Sequence, residues 1–143
     1  MMKDLKTIVP LFRATDSFSK AIQKDVKQYG LNVTEFGVLE ALYHKGEMTI
    51  KDLLEKVLIT NSSMSYVINQ LIKKSYVHKS KSKVDGRSYQ LSLTDQGQAL
   101  MKNAFRKHKK NMRSIIDTIT PEEEQKLREL LKRIGKRANE FTK

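Results

Sequence analysis

A mainly helical fold with one small β-hairpin is predicted for this chain of 143 residues, and three observations predict it. Apolar residues recur three to four apart through most of the sequence, with only two prolines and six glycines to interrupt them. Between residues 77 and 93 the period changes to two, around the turn pair Asp85-Gly86. Several apolar runs are preceded by a hydroxyl that can cap a helix, most sharply in Thr120-Pro121-Glu122-Glu123, where a cap, Pro at the first helical position and Glu at the third coincide. Neither an internal repeat nor a low-complexity linker is visible, so residues 1–143 read as one chain unit.

In the first helix Ile8, Phe12, Phe18, Ile22, Val26 and Tyr29 fall mainly four apart. Thr7 is placed to cap it, Pro10 lies in the tolerant first turn and Gly30 stops it. A second helix opens at Thr34, buries Phe36, Leu39, Leu42 and Tyr43, and ends before Gly46. Thr49, with Asp52 in the first turn, caps a third whose apolar face is Leu53, Leu54, Val57 and Leu58. The run Ile59-Thr60-Asn61-Ser62-Ser63 breaks the rhythm, and Met64, Val67, Ile68 and Leu71 restart it in a fourth helix over about 60–74. A two-stranded hairpin follows, with Tyr89, Leu91 and Leu93 alternating against Ser88, Gln90 and Ser92. Thr94-Asp95 caps a long fifth helix carrying Leu100, Ala104, Met112, Ile115, Ile116 and Ile119, and the sixth buries Leu127, Leu130, Leu131, Ile134, Ala138 and Phe141.

The order of parts carries the functional information: a short helix, a capped short helix, a break, a polar-faced helix and a basic hairpin make a winged helix-turn-helix. With the apolar set of the fourth helix facing inward, Asn61, Ser62, Ser65, Tyr66, Asn69 and Lys73 project outward. Amides and hydroxyls on such a face read base edges and phosphates, and the small side chains permit close approach to a major groove. The competing account is a capped, merely solvated helix face. In the hairpin, Lys79, Lys81 and Lys83 alternate and share one face, where their mutual repulsion would be relieved by a phosphate backbone. At its tip Asp85 and Arg87 flank Gly86, so the carboxylate can orient the guanidinium toward a minor groove, whose negative potential attracts it. The competing account here is a basic edge strand that discourages aggregation.

Composition agrees with a polyanionic partner: 28 Lys and Arg against 16 Asp and Glu leave a formal charge of +12. The absence of cysteine excludes disulfides, cysteine zinc sites, iron–sulfur clusters and thiol switches. His44, His78 and His108 form no ligand motif, so no metal or cofactor is expected. No nucleophile elbow, phosphate loop or catalytic acid pair argues for an enzyme. The basic cluster Lys102, Arg106, Lys107, His108, Lys109, Lys110 and Arg113 reads first as a solvated helix face, the alternative being diffuse attraction to DNA or an acidic membrane surface. Charge in Met1-Met2-Lys3-Asp4-Leu5-Lys6 precludes a secretory apolar region, and no run approaches about 18 apolar residues. A cytoplasmic protein with no membrane partner is the expectation.

From Gly30 to Gly97 the chain resembles the MarR family of bacterial transcriptional regulators. The resemblance is most specific in Asp85-Gly86-Arg87-Ser88, followed by Leu93-Thr94-Asp95-Gln96-Gly97, which is similar to the family's D-x-R wing signature and the start of its long helix. It implies a DNA-binding lobe over 31–94 and a helical dimerisation lobe from 5–30 and 95–143. It also implies a homodimer on a palindromic operator in double-stranded DNA, with recognition helices in successive major grooves and the wing Arg87 in a flanking minor groove. By position Asn61, Ser63 and Ser65 fall where the family's recognition helices place contacts, and Ser88 completes the wing set. A repressor released by a small aromatic or phenolic effector is the implied mechanism, and the stretch from Tyr29 to Phe36 resembles regulators of quinone and aromatic-electrophile detoxification. The alternative from another class is an architectural nucleic-acid binder that uses charge alone.

Overall fold

The computed structural model describes residues 4–56, 64–82, 86 and 88–143. The chain divides into two compact units, Met1–His108 and Lys109–Lys143. The first contains helices α1 (Ile8–Lys27), α2 (Val33–Lys45), α3 (Ile50–Lys56) and α4 (Met64–Lys73), with strands β1 (Met48–Thr49), β2 (Val77–Lys81) and β3 (Tyr89–Leu93). Helix α5 (Asp95–Ile116) crosses the division, and α6 (Pro121–Phe141) belongs to the second unit.

Local signals place most helix ends. Thr49 Oγ1 accepts the Asp52 amide at 3.0 Å, Thr94 Oγ1 accepts that of Gly97 at 3.0 Å, and Thr120 closes a reciprocal capping box with Glu123 behind Pro121. Two caps depart from expectation. Thr7 precedes α1 but makes no side-chain cap bond, because its dihedrals are already helical (φ −73, ψ −28) and a capping side chain needs an extended backbone. The second helix starts at Val33 and not Thr34, since Asn32 and Glu35 form the capping box there. Gly30 (φ 75) and Gly46 (φ 80) supply the left-handed residues that end α1 and α2.

The hairpin is part of a three-stranded antiparallel sheet of order β1-β3-β2. Its third strand pairs Met48 with Leu91 and Thr49 with Gln90, and two residues are too few for an alternating pattern to announce it. The core of the first unit gathers Val26, Phe36, Val38, Leu39, Leu42, Leu53, Leu71, Leu91 and Met101 around the buried face of α4. Gly97 is required where α5 meets this core, because a Cβ on it would collide with the Tyr76 carbonyl oxygen.

The expectation that α6 buries its apolar stripe is not met within the chain. No residue of α6 is buried, and Leu127, Leu130, Leu131, Ile134 and Phe141 are all exposed. Ile8 and Phe12 of α1 are likewise exposed. Periodicity shows that a face is apolar, and cannot show whether its cover comes from the same chain.

Candidate nucleic-acid interface

Helix α4 separates its two faces as its spacing dictates. Met64, Val67, Ile68 and Leu71 are buried, while Ser65, Tyr66, Asn69 and Lys73 are exposed along one stripe. Tyr66 leaves 65% of its surface open, a large aromatic with nothing among the described residues to cover it. The stripe offers a hydroxyl, a phenol, a carboxamide and an ammonium, a set able to pair with base edges and phosphate oxygens. Asn61, Ser62 and Ser63 lie outside the described residues, as do Val57 and Leu58.

Three ties hold the C-terminal end of α4. Ser75 takes a left-handed conformation (φ 66), and the Tyr76 amide donates back to the Leu71 carbonyl at 3.0 Å in a Schellman-type turn. Thr94 Oγ1 donates to the Ser75 carbonyl at 2.5 Å, linking this turn to the start of α5. Lys74 Nζ donates to Glu35 Oε2 at 2.7 Å, linking it to the start of α2.

In the hairpin, Val77 pairs with Leu93, Lys79 with Leu91 and Lys81 with Tyr89. Cross-strand partners share a face, so Lys79 and Lys81 project from one side of the ribbon, both exposed. Lys79 Nζ stands 4.4 Å from the Tyr89 ring centroid, a cation–π contact across the diagonal of the ladder. Tyr89 was not among the expected site residues, although its alternation with Leu91 already placed it on the lysine face. Ser88 is half-buried, and its carbonyl accepts the Ser82 amide at 2.8 Å, extending the ladder toward the tip. Lys83, Asp85 and Arg87 lie outside the described residues.

The basic cluster of α5 is only partly a solvated face. Lys102, Arg106, Lys107, Lys109 and Lys110 are exposed. His108 instead turns inward, with Nδ1 2.7 Å from Asp25 Oδ2 and its ring 4.5 Å from that of Phe36. Arg113 forks onto Glu124 at 2.7 and 3.1 Å and onto Asp117 at 2.5 Å, and holds the Glu124 carboxyl below its ordinary range. Both departures depend on acids remote from, or beyond the end of, the basic run. Among the described residues no group of three or more His, Asp or Glu could hold a metal ion, and no helix is long and apolar enough to cross a membrane.

Residues 31–89 match the model of the MarR family. The chain is 34% identical over 139 residues to the HTH-type transcriptional regulator MhqR of Bacillus subtilis, covering 97% of this chain and 96% of that one. Among solved structures it resembles Sco3205 of Streptomyces coelicolor, a MarR family regulator in complex with DNA, with a TM-score of 0.83 at 20% identity over 94% of this chain and 92% of the other. It also resembles BpsR of Bordetella bronchiseptica, whose DNA binding is regulated by 6-hydroxynicotinic acid, with a TM-score of 0.78 at 22% identity over 91% and 98% of the two chains.

Proposed function

Because this chain belongs to the MarR family of helix-turn-helix transcriptional regulators, we propose that it is a repressor that holds a palindromic operator as a homodimer and is released by an aromatic or phenolic effector. The observation that carries the reading is the division of α4: four buried apolar residues hold it on the core, and Ser65, Tyr66, Asn69 and Lys73 form an exposed stripe free to enter a major groove. Lys79 and Lys81 supply phosphate contacts beside it, and the sequence adds Asn61, Ser62, Ser63 and Lys83 to the same surface, with Asp85 orienting Arg87 toward a minor groove. The net charge of +12 supplies the sequence-independent attraction on which base readout is superimposed.

Two-fold symmetry in the operator follows from two-fold symmetry in the protein, for which the uncovered apolar stripe of α6 and the exposed Ile8 and Phe12 of α1 are the available surfaces. The effector class is supported by the hydroxylated aromatic acid that regulates BpsR. An effector acts only through its differential affinity for the bound and released forms, about 1–3 kcal/mol in typical couplings. With no cysteine in the chain, it binds without forming a thiol adduct.

Selection of duplexes from a random pool by the purified full chain tests the proposal. Recovery of a palindrome with half-sites about one helical turn apart supports it. Recovery of unselected sequence, with equal affinity for random DNA, would establish a charge-driven architectural binder instead.

A further inference from the structure

Glu35 is a buried carboxylate, its side chain 7% exposed, and its two oxygens serve different elements. Oε1 accepts the Asn32 amide at 3.0 Å, while Asn32 Oδ1 accepts the Glu35 amide at 2.8 Å, closing the capping box of α2. Oε2 accepts from Lys74 Nζ at 2.7 Å, 39 residues away and directly after α4. Capping occupies one oxygen and is equally served by Gln, so it accounts for neither the burial nor the charge. With Lys74 39% exposed the pair is only half-buried, and such a pair is weak evidence for stability, because desolvation and solvent screening offset its Coulombic attraction, but it is directional where hydrophobic contact is not.

We propose that Glu35 is a positioning residue for DNA recognition: through Lys74 it fixes the register and tilt of α4 relative to α2. The inference rests on the reading of α4 as the helix that enters DNA. The apolar face of α4 holds it on the core, and to that non-directional packing the bridge adds a directional tie. The Glu35–Lys74 bridge ties down the end of the helix, five residues beyond Asn69, which is about 7–8 Å along the axis. The left-handed Ser75 and the Thr94 bond to its carbonyl hold the next residue, so a shift at Lys74 is transmitted along α4 and not absorbed in a loose end.

The test uses Glu35→Gln, Lys74→Met and Lys74→Arg in the full chain. The probes are a labelled duplex recovered by the wild-type chain from a random pool and a scrambled duplex of the same composition. The readout is the ratio of the two affinities, with thermal unfolding recorded in parallel. Glu35→Gln keeps an acceptor for the Asn32 amide and leaves the Lys74 charge in place, whereas Lys74→Met keeps the whole capping box. Each is expected to lower the ratio about tenfold, the scale of one lost base contact, and Lys74→Arg to stay within about twofold of wild type. A ratio unchanged in both Glu35→Gln and Lys74→Met would overturn the proposal, as would equal losses on both duplexes, which mark lower stability or a simple phosphate contact by Lys74. Should Glu35→Gln fail to fold, Lys74→Met decides alone. A wild-type chain that binds the two duplexes alike would instead bring down the reading of α4, and the positioning role with it.

Discussion

His108 and Asp25, 83 residues apart, meet with Nδ1 2.7 Å from Oδ2 and join α5 to α1 inside the first unit. The Tyr29 hydroxyl donates to the other oxygen of Asp25 at 3.2 Å, and His108 Nε2 faces Glu40 of α2 at 3.9 Å. Since the imidazole can donate from Nδ1 in either charge state, the bond does not require protonation. Asp25→Asn and His108→Gln are each expected to cost about 1–3 kcal/mol in urea unfolding. The double variant should lose less than the sum of the two by more than about 0.5 kcal/mol, and strict additivity would show that the pair is not coupled.

The phenol of Tyr29 is pushed up to about 12, by burial first and then by the charge and hydrogen bond of Asp25. The fold therefore favours the neutral phenol. Its contribution to stability is complete below the unfolded value near 10 and is lost as the pH rises from there through 12. In an ultraviolet titration of tyrosinate absorbance, the difference between wild type and Tyr29→Phe should be a transition near 12. Loss of a transition near 10 would contradict the assignment.

Gly97→Ala places a methyl against the Tyr76 carbonyl, a backbone atom that cannot rotate away, at the turn that joins β3 to α5. Thr94 donates its amide to that same carbonyl at 3.0 Å, so displacement would also disturb the α5 cap. A loss of about 1–3 kcal/mol is expected, read as a lowered thermal midpoint. An unchanged midpoint would mean that α5 can withdraw freely from the sheet.

Leu127, Leu130, Leu131 and Ile134 repeat at helical spacing along α6 with between 39% and 48% of their surface exposed. A face of this kind in a solution monomer is costly, and covering it with a second copy removes the cost. Sedimentation at micromolar concentration should give twice the chain mass of 16.6 kDa, and Ile134→Glu should return the single mass with helical content retained. A wild-type monomer would refute the dimer.

Asn69→Ala should weaken binding to the selected duplex by about 1–3 kcal/mol and leave random DNA nearly unaffected, as expected for an exposed carboxamide on α4 in the proposed role of base readout. Lys81→Ala should weaken both and reduce the salt slope by about one, as expected for one phosphate contact. Arg87→Ala, at the wing tip assigned from sequence, should be the most damaging wing change. Fluorescence anisotropy at several salt concentrations separates these outcomes. Equal losses for Asn69→Ala on both duplexes would remove that residue from base readout.

What the sequence by itself determined are the features written in neighbouring residues. The buried and exposed faces of α4 follow from a period of 3.6, the shared face of Lys79 and Lys81 from a period of 2, and the caps at Thr49, Thr94 and Thr120 from side chains that reach only two or three residues along the backbone. Tertiary structure alone decided what each face meets. Strand β1 exists because Met48 finds Leu91, His108 turns inward because Asp25 and Phe36 await it, and Glu35 becomes more than a cap because Lys74 arrives beside it. Gly97 is needed only because the Tyr76 carbonyl is packed against it. The physical reason is range: periodicity and capping act over one or two turns, whereas a buried charge, a short strand or a close backbone approach is defined by a partner tens of residues away, which no local pattern names.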